Sequence, residues 1–313
     1  MGYTPLRIST VKPGRELPFD LYIFFKETYL CYTNRGAAIE DEKYLKLKKQ
    51  KIAKFYITEK DEPNYQRFLD QLLNETMNSP TATTDEKVNL VEGACGTAVE
   101  RMQKDPESES SYRMTQNAAK SLRQVIANNP DALKKIFGKK ASDADLIIKH
   151  SLNVSALATK LAEKCRLEDK EVDDIATAAL IHDVGIAKLE KSEQDLFKKD
   201  KKQYSNDDKR LYNFHVKDAI SVLKDKPWVT KSIIDLVINH EEVLSGHGPN
   251  KKSKLSKSEE ILSLVNNYDK RLITSDKGPK AVIKDMTIDE VGNYSLELIN
   301  KFKEVLEAEG LLE

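Results

Sequence analysis

The chain has 313 residues, 33% of them charged, with Lys+Arg and Asp+Glu balanced at 51 each. That length carries a sizeable core and about two domains, while a zero formal charge excludes bulk electrostatics as the basis of nucleic-acid binding and leaves only local basic patches to grip phosphate. The apolar stretches are short and interrupted by charges, and MGYTPLRIST lacks the basic segment and apolar core of a secretory signal, so we expect a cytoplasmic protein with no membrane span and no DNA partner.

Residues 1–62 read as a small β-rich domain. LRISTV, DLYIFF and TYLCY are short, aromatic and β-branched, and Pro13-Gly14, Pro18 and Asn34-Arg35-Gly36 punctuate them. The run KYLKLKKQKIAKFYI alternates Lys with apolar residues and is read as a solvated strand face or a Lys-protected sheet edge. This region carries no catalytic signal, and a regulatory input role follows only by analogy with modular signalling proteins.

Residues 63–140 read as a helical connector. TTDEKVNLVEGACGTAVERM opens with helix-capping residue types and places Val88, Val91, Cys95, Ala98 and Met102 on one stripe. KDPESESS breaks the pattern, and SYRMTQNAAKSLRQVIANNP resumes it up to Asn129-Pro130. Residues 141–313 add at least five more amphipathic helices, with one polar break at SGHGPNKKSKLSKS, so the fold expected is mainly α: an all-helical C-terminal bundle behind a small β-rich N-terminal domain. Trp228, after Pro227 at a helix start, is read as packing. Cys31, Cys95 and Cys165 are odd in number and widely spaced, which suits reduced thiols and no zinc knuckle.

All five histidines lie between positions 150 and 247, and four sit on apolar stripes of separate expected helices. His150 shares a face with Leu146, Ile147, Val154 and Leu157; His182 with Ile175, Ala178 and Ala179; His215 with Leu211 and Ala219; His240 with Ile233, Leu236 and Val237. One such histidine is usually a hydrogen-bonded core residue, but four buried imidazoles need four partners, and a shared metal satisfies them together. Imidazole nitrogen with carboxylate oxygen suits Fe, Mn or Zn. Asp183 follows His182 directly, and adjacent helical residues diverge by about 100°, so both reach one ion only at a helix end, which Val184-Gly185 supplies. A carboxylate among imidazoles can also bridge two cations. His247, between two glycines in the polar break, is read as exposed.

With His150, the HDVG starting at His182, His215 and the NHE starting at Asn239 in this order, the chain resembles the HD superfamily of metal-dependent phosphohydrolases. KHSLNVSALATKLAEKCRL, ATAALIHDVG, NFHVKDAISVL and ILSLVNNYDKRLITSDKGPKAVIKDM are similar to the HD-GYP branch, the bacterial cyclic di-GMP phosphodiesterases, over roughly residues 141–290. The departures are Ile186 where the family has Lys (Lys188 lies two further on), Asn239 for the first of paired histidines, Ser245-Gly246-His247-Gly248-Pro249 for a Gly-Tyr-Pro loop without its tyrosine, and Asn266 at the last metal-binding Asp, with Asp269 one turn later. The resemblance implies two divalent metal ions, iron first with manganese or zinc as alternatives, held by His150, His182, Asp183, His215 and His240, with Asp183 bridging and Asn266 or Asp269 completing the set. It implies Lys277 and Lys280 as phosphate contacts, Glu241 and Asn239 as residues that orient ligands, and a cyclic dinucleotide or other phosphodiester as substrate. In such a site cations polarise a phosphodiester oxygen and lower the pKa of water toward neutrality so that hydroxide attacks. The alternative is a degenerate member that binds metal and nucleotide and serves as a receptor or scaffold, meeting protein partners through loop 245–249 and the N-terminal domain. A general nucleotide phosphohydrolase of the wider superfamily explains the ligands but not the segment after Asp269.

Overall fold

The N-terminal strand signals resolve into a four-stranded antiparallel sheet of β1 (Tyr3–Arg7), β2 (Leu21–Phe25), β3 (Thr28–Thr33) and β4 (Lys54–Thr58), in the order β1-β4-β2-β3. The structure, a computed structural model, describes residues 2–137, 145–217 and 221–312; the boundary expected at residues 140–141, and Ala219 beside His215, lie outside the described residues. Lys26 and Glu27 turn β2 into β3 with φ of 47° and 61°, the left-handed conformation that a two-residue hairpin needs to match the strand twist. The LRISTV segment is strand only to Arg7, and Ile8–Thr10 is a 3-10 turn.

The lysine-rich run corrects the expectation of a strand. Asp41–Lys49 is helix α1, and the strand begins only at Lys54, in β4, which lies between β1 and β2 rather than at an edge. Tyr44 and Leu47, three residues apart, are its buried positions, with Asp41 and Glu42 in the first turn and Lys46, Lys48 and Lys49 in the last. That charge order complements the helix dipole, and the helical spacing outweighs the apparent alternation.

The helices that follow are α2 (Glu62–Asn78), α3 (Thr84–Lys104), α4 (Glu109–Asn128), α5 (Ala132–Phe137), α6 (Leu146–Lys164), α7 (Asp169–Ile181), α8 (Lys191–Gln194), α9 (Asn206–Lys217), α10 (Lys231–Asn239), α11 (Lys257–Thr274), α12 (Pro279–Asp289) and α13 (Leu296–Ala308). Thr83 and Glu86 form a reciprocal capping box at the start of α3, and Ser108 caps α4, so the breaks expected around them are where the chain turns. The α3 stripe of Val88, Val91, Cys95, Ala98 and Met102 is buried throughout. Gly93 lets α3 lie against the turn after β1, since a Cβ there would stand 2.2 Å from Ser9 Oγ.

Helix α6 is the axis of the bundle. Every residue from His150 to Ala162 except Lys160 is buried, as expected of a helix surrounded on all sides; α3, α7, α11 and α13 pack around it. Helices α3 and α4 also pack on α6 and α7, and one apolar core runs from Leu6 to Leu311. The expected connector is therefore part of the bundle wall that supports α6 and α7. Trp228 packs at the margin of this core. Among the described residues no helix is long and apolar enough to cross a membrane.

Candidate metal centre

Four separate elements bring four histidines to one carboxylate. His150 lies on α6 and His215 on α9, while His182 and His240 are the residues that close α7 and α10. Asp183 follows as the residue that begins the 3-10 turn Val184–Lys188, and its backbone (φ −101°, ψ 9°) has left the helix. The helix end expected from Val184-Gly185 is thus what lets His182 and Asp183 face the same point. All five side chains are at most 1% exposed.

Hydrogen bonding sets the imidazole tautomers. Nδ1 of His182 donates to Ala179 O at 2.7 Å, Nδ1 of His240 to Val237 O at 2.6 Å, and Nδ1 of His215 to Tyr212 O. Carbonyl oxygens only accept, so these nitrogens carry the proton. His150 Nδ1 donates to Asp269 Oδ2 at 2.7 Å, and Asn153 Nδ2 donates to the other Asp269 oxygen at 3.0 Å. Burial above all, with the neighbouring His240 and His150, takes His182 down to about 3 against the attraction of Asp183, so this imidazole is neutral.

The four Nε2 atoms then present lone pairs to Asp183. His150 and His182 stand 3.5 and 3.4 Å from its Oδ2, and His215 and His240 stand 3.2 and 3.5 Å from its Oδ1. The Nε2 atoms of His150 and His182 are 3.1 Å apart, and those of His215 and His240 are 3.4 Å apart. Neither Asp183 oxygen accepts a hydrogen bond. A buried carboxylate without donors, ringed by lone pairs, is costly on its own and satisfied by cations. Separations of about 3 Å are those of neighbouring ligands on an ion with bonds of about 2.1 Å. Two triads have this character, His150-His182-Asp183 and Asp183-His215-His240, and the donor set fits divalent metal.

Asn266 and Asp269, one turn apart on α11, take different positions. Asn266 Oδ1 lies 2.9 Å from His150 Nε2, on the lone-pair side, while its Nδ2 donates to Glu241 Oε1 at 3.1 Å and to His240 O at 3.4 Å. The amide orientation is therefore determined, with oxygen toward the cluster. Asp269 faces the opposite nitrogen of His150 and braces that ring. Asn239 departs from the role expected for it: its amide donates to Glu259 at 2.7 Å, away from the histidines, because as the last residue of α10 it points toward the start of α11.

A cavity of about 1190 Å³ lies beside the cluster, with nine lysines and arginines against five carboxylates among its lining residues. Tyr212, Glu241 and Lys270 line it, whereas the four histidines and Asp183 do not, so these three side chains separate cavity from cluster. Tyr212 OH donates to Glu241 Oε1 at 3.1 Å, and Lys201 pairs with the other oxygen. Burial raises the Glu241 pKa, but the Lys201 ammonium paired with it outweighs this and holds the carboxyl well below its usual range. Lys277 lines the cavity and pairs with Asp285, while Lys280 is exposed on α12 and outside the lining. His247 is exposed, as expected, and lines the outer cavity.

Sequence reasoning missed Lys270. It is 3% exposed, its ammonium stands 3.2 Å from the Phe197 ring centre, and burial takes its pKa down to about 7 against the attraction of Asp183. A helical reading of Asn266 and Asp269 as inward-facing contains the signal, because position 270 is four residues from 266 and shares its face.

Bundle, buried His/Asp cluster and adjoining basic cavity are together those of a metal-dependent phosphohydrolase. Residues 120–286, just over half of the chain, match the HD domain family, and the chain belongs to that family. Among solved structures it is similar to Bd1817, an HDG"Y"P protein from Bdellovibrio bacteriovorus, with a TM-score of 0.76 and 23% identity over 98% of this chain and 100% of that one. At that identity the likeness is one of fold, and it includes the N-terminal sheet as well as the bundle. No curated protein sequence matches.

Proposed function

We propose that the chain hydrolyses a phosphodiester, cyclic di-GMP or a related cyclic dinucleotide, at a two-metal site bridged by Asp183. The observation that carries this reading is the Asp183 carboxylate, buried without a donor between two pairs of Nε2 lone pairs. His150, His182 and Asn266 would hold one ion and His215 and His240 the other, with iron first and manganese or zinc as alternatives. Divalent ions held there supply a Lewis acid for a phosphoryl oxygen and lower the pKa of water. The protein's own residues supply the rest. Asp269 and the carbonyls of Ala179, Tyr212 and Val237 keep each imidazole turned inward, and Glu241 fixes the Asn266 amide. The cavity gathers the anionic substrate through its excess of cations. The Lys201–Glu241–Tyr212 network lies as a cover between that cavity and the cluster.

A second reading, a receptor that binds metal and nucleotide without turnover, draws on that same cover, which screens a fully buried cluster. Metal content of the purified chain, measured with cyclic di-GMP turnover under reducing conditions, separates the two. Two metals with turnover support hydrolysis, and metal with nucleotide binding but no turnover supports the receptor. Less than one metal per folded chain sinks both.

A further inference from the structure

We propose that Lys270 is a phosphate-binding residue, whose ammonium takes a non-bridging oxygen of the substrate phosphodiester as it passes from the cavity to the metal cluster. This rests on reading the cluster as a phosphohydrolase centre, and it names the group by which this chain receives the phosphate.

Three observations carry it. First, Lys270 Nζ is buried and makes no hydrogen bond. An ammonium has three donors and no acceptor capacity, and leaving all three unmet in the interior is costly. Second, the position is built. The Phe197 ring centre lies 3.2 Å away and the Tyr212 ring centre 5.1 Å away. Aromatic faces hold a cation without consuming its hydrogen bonds, so the donors stay available. These rings in turn pack on His150 and His215, with centroids 5.2 and 4.5 Å apart, which sets the ammonium beside both halves of the cluster. Third, Lys270 lines the cavity, and other cations there are already committed: Lys201 to Glu241, Lys202 to Asp289, Arg271 to Asp289 and Glu290, and Lys277 to Asp285. Among the described cavity-lining residues, Lys270 is the buried cation that still lacks an acceptor. A phosphate oxygen is an acceptor of the right charge, and a hydrogen bond between ions in a site screened from water is strong.

The test uses the metal-loaded full chain as wild type, Lys270→Met and Lys270→Arg. Calorimetric titration with inorganic phosphate, hydrolysis of bis(4-nitrophenyl) phosphate, metal per chain and Tm are measured on each. Lys270→Met should keep its metal and a Tm at or above wild type, since it removes a buried charge, while phosphate binding weakens about tenfold or more. Lys270→Arg should recover part of that binding. If the Met variant does not fold, Lys270→Gln, which keeps a donor and drops the charge, must show the same loss. Unchanged phosphate affinity in the Met or Gln variant overturns the proposal, and so does a wild type that binds no phosphate. Loss of phosphate binding in a protein that hydrolyses no phosphodiester supports Lys270 while removing the hydrolase reading. Hydrolysis and phosphate binding that both ignore Lys270 remove this proposal alone.

Discussion

Replacing Asn266 by Asp puts back the carboxylate that the HD-GYP pattern has at this position, yet the geometry predicts that it destabilises the metal-free protein. Asn266 Nδ2 donates to Glu241 Oε1 at 3.1 Å, so an aspartate there turns an attractive contact into two anionic oxygens at that separation. With an effective dielectric constant of about 20, two unit charges so placed repel by about 5 kcal/mol. The Lys201 ammonium on the other Glu241 oxygen offsets part of this, leaving an expected loss of about 3 kcal/mol. At roughly 2 °C per kcal/mol for a chain of this size, Tm falls by about 6 °C. The assay is a double-mutant cycle of Asn266→Asp and Glu241→Gln by urea unfolding of chelator-treated protein. The double variant recovers most of the loss, because the amide introduced at position 241 donates to the carboxylate introduced at position 266. Added metal should narrow the gap between Asn266→Asp and wild type, since the new carboxylate faces the cation site. A metal-free Asn266→Asp as stable as wild type, or a cycle with no coupling, refutes the assignment of the amide orientation and with it the inward-facing Oδ1.

Three further outcomes follow from the same geometry. Asp269→Ala releases the Nδ1 proton of His150 from its acceptor and should weaken metal binding about 10–100-fold in chelator competition; unchanged affinity means that Asp269 does not orient the ring. Stripping the metal should lower Tm, because an ion at 100 times its Kd stabilises the native state by about 2.7 kcal/mol; equal melting with and without chelator argues against a preformed site. Glu259, which caps α11, has a lowered pKa: burial raises it, but Lys252, the Ser256 N–H and Asn239 outweigh that. Its contribution is present above the unfolded value of about 4.3 and is lost as pH falls through the lower folded value. Glu259→Gln should therefore cost about 1 kcal/mol at pH 7 and progressively less as pH falls below about 4, and a gap that does not shrink on acidification contradicts the ionised cap.

The His/Asp cluster was legible because a helix reports its inward face through spacing alone. His150, His182, His215 and His240 each fall three, four or seven residues from apolar neighbours, and all four are buried together. The lysine-rich run at 43–57 was misread because Lys alternating with apolar residues mimics a strand over a few positions, while the deciding feature, Tyr44 and Leu47 on one helical face, spans only one turn. Lys270 escaped notice because it sits between Asp269 and Arg271, where charge density suggests a solvated face; its burial comes from Phe197 and Tyr212, which approach from 58 or more residues away in sequence.

The sequence by itself determined that four imidazoles and a helix-end carboxylate turn inward, since local periodicity and the break after Ile181 depend only on neighbours along the chain. Only the tertiary structure decided what each inward group does. Asn266 and Asp269 share a face of α11, but which offers a lone pair to the cluster and which braces a histidine depends on long-range partners, Glu241 for one and Asn153 for the other. The same holds for Lys270, an ordinary lysine in the sequence whose unmet donors arise only where α11 meets the segments carrying Phe197 and Tyr212.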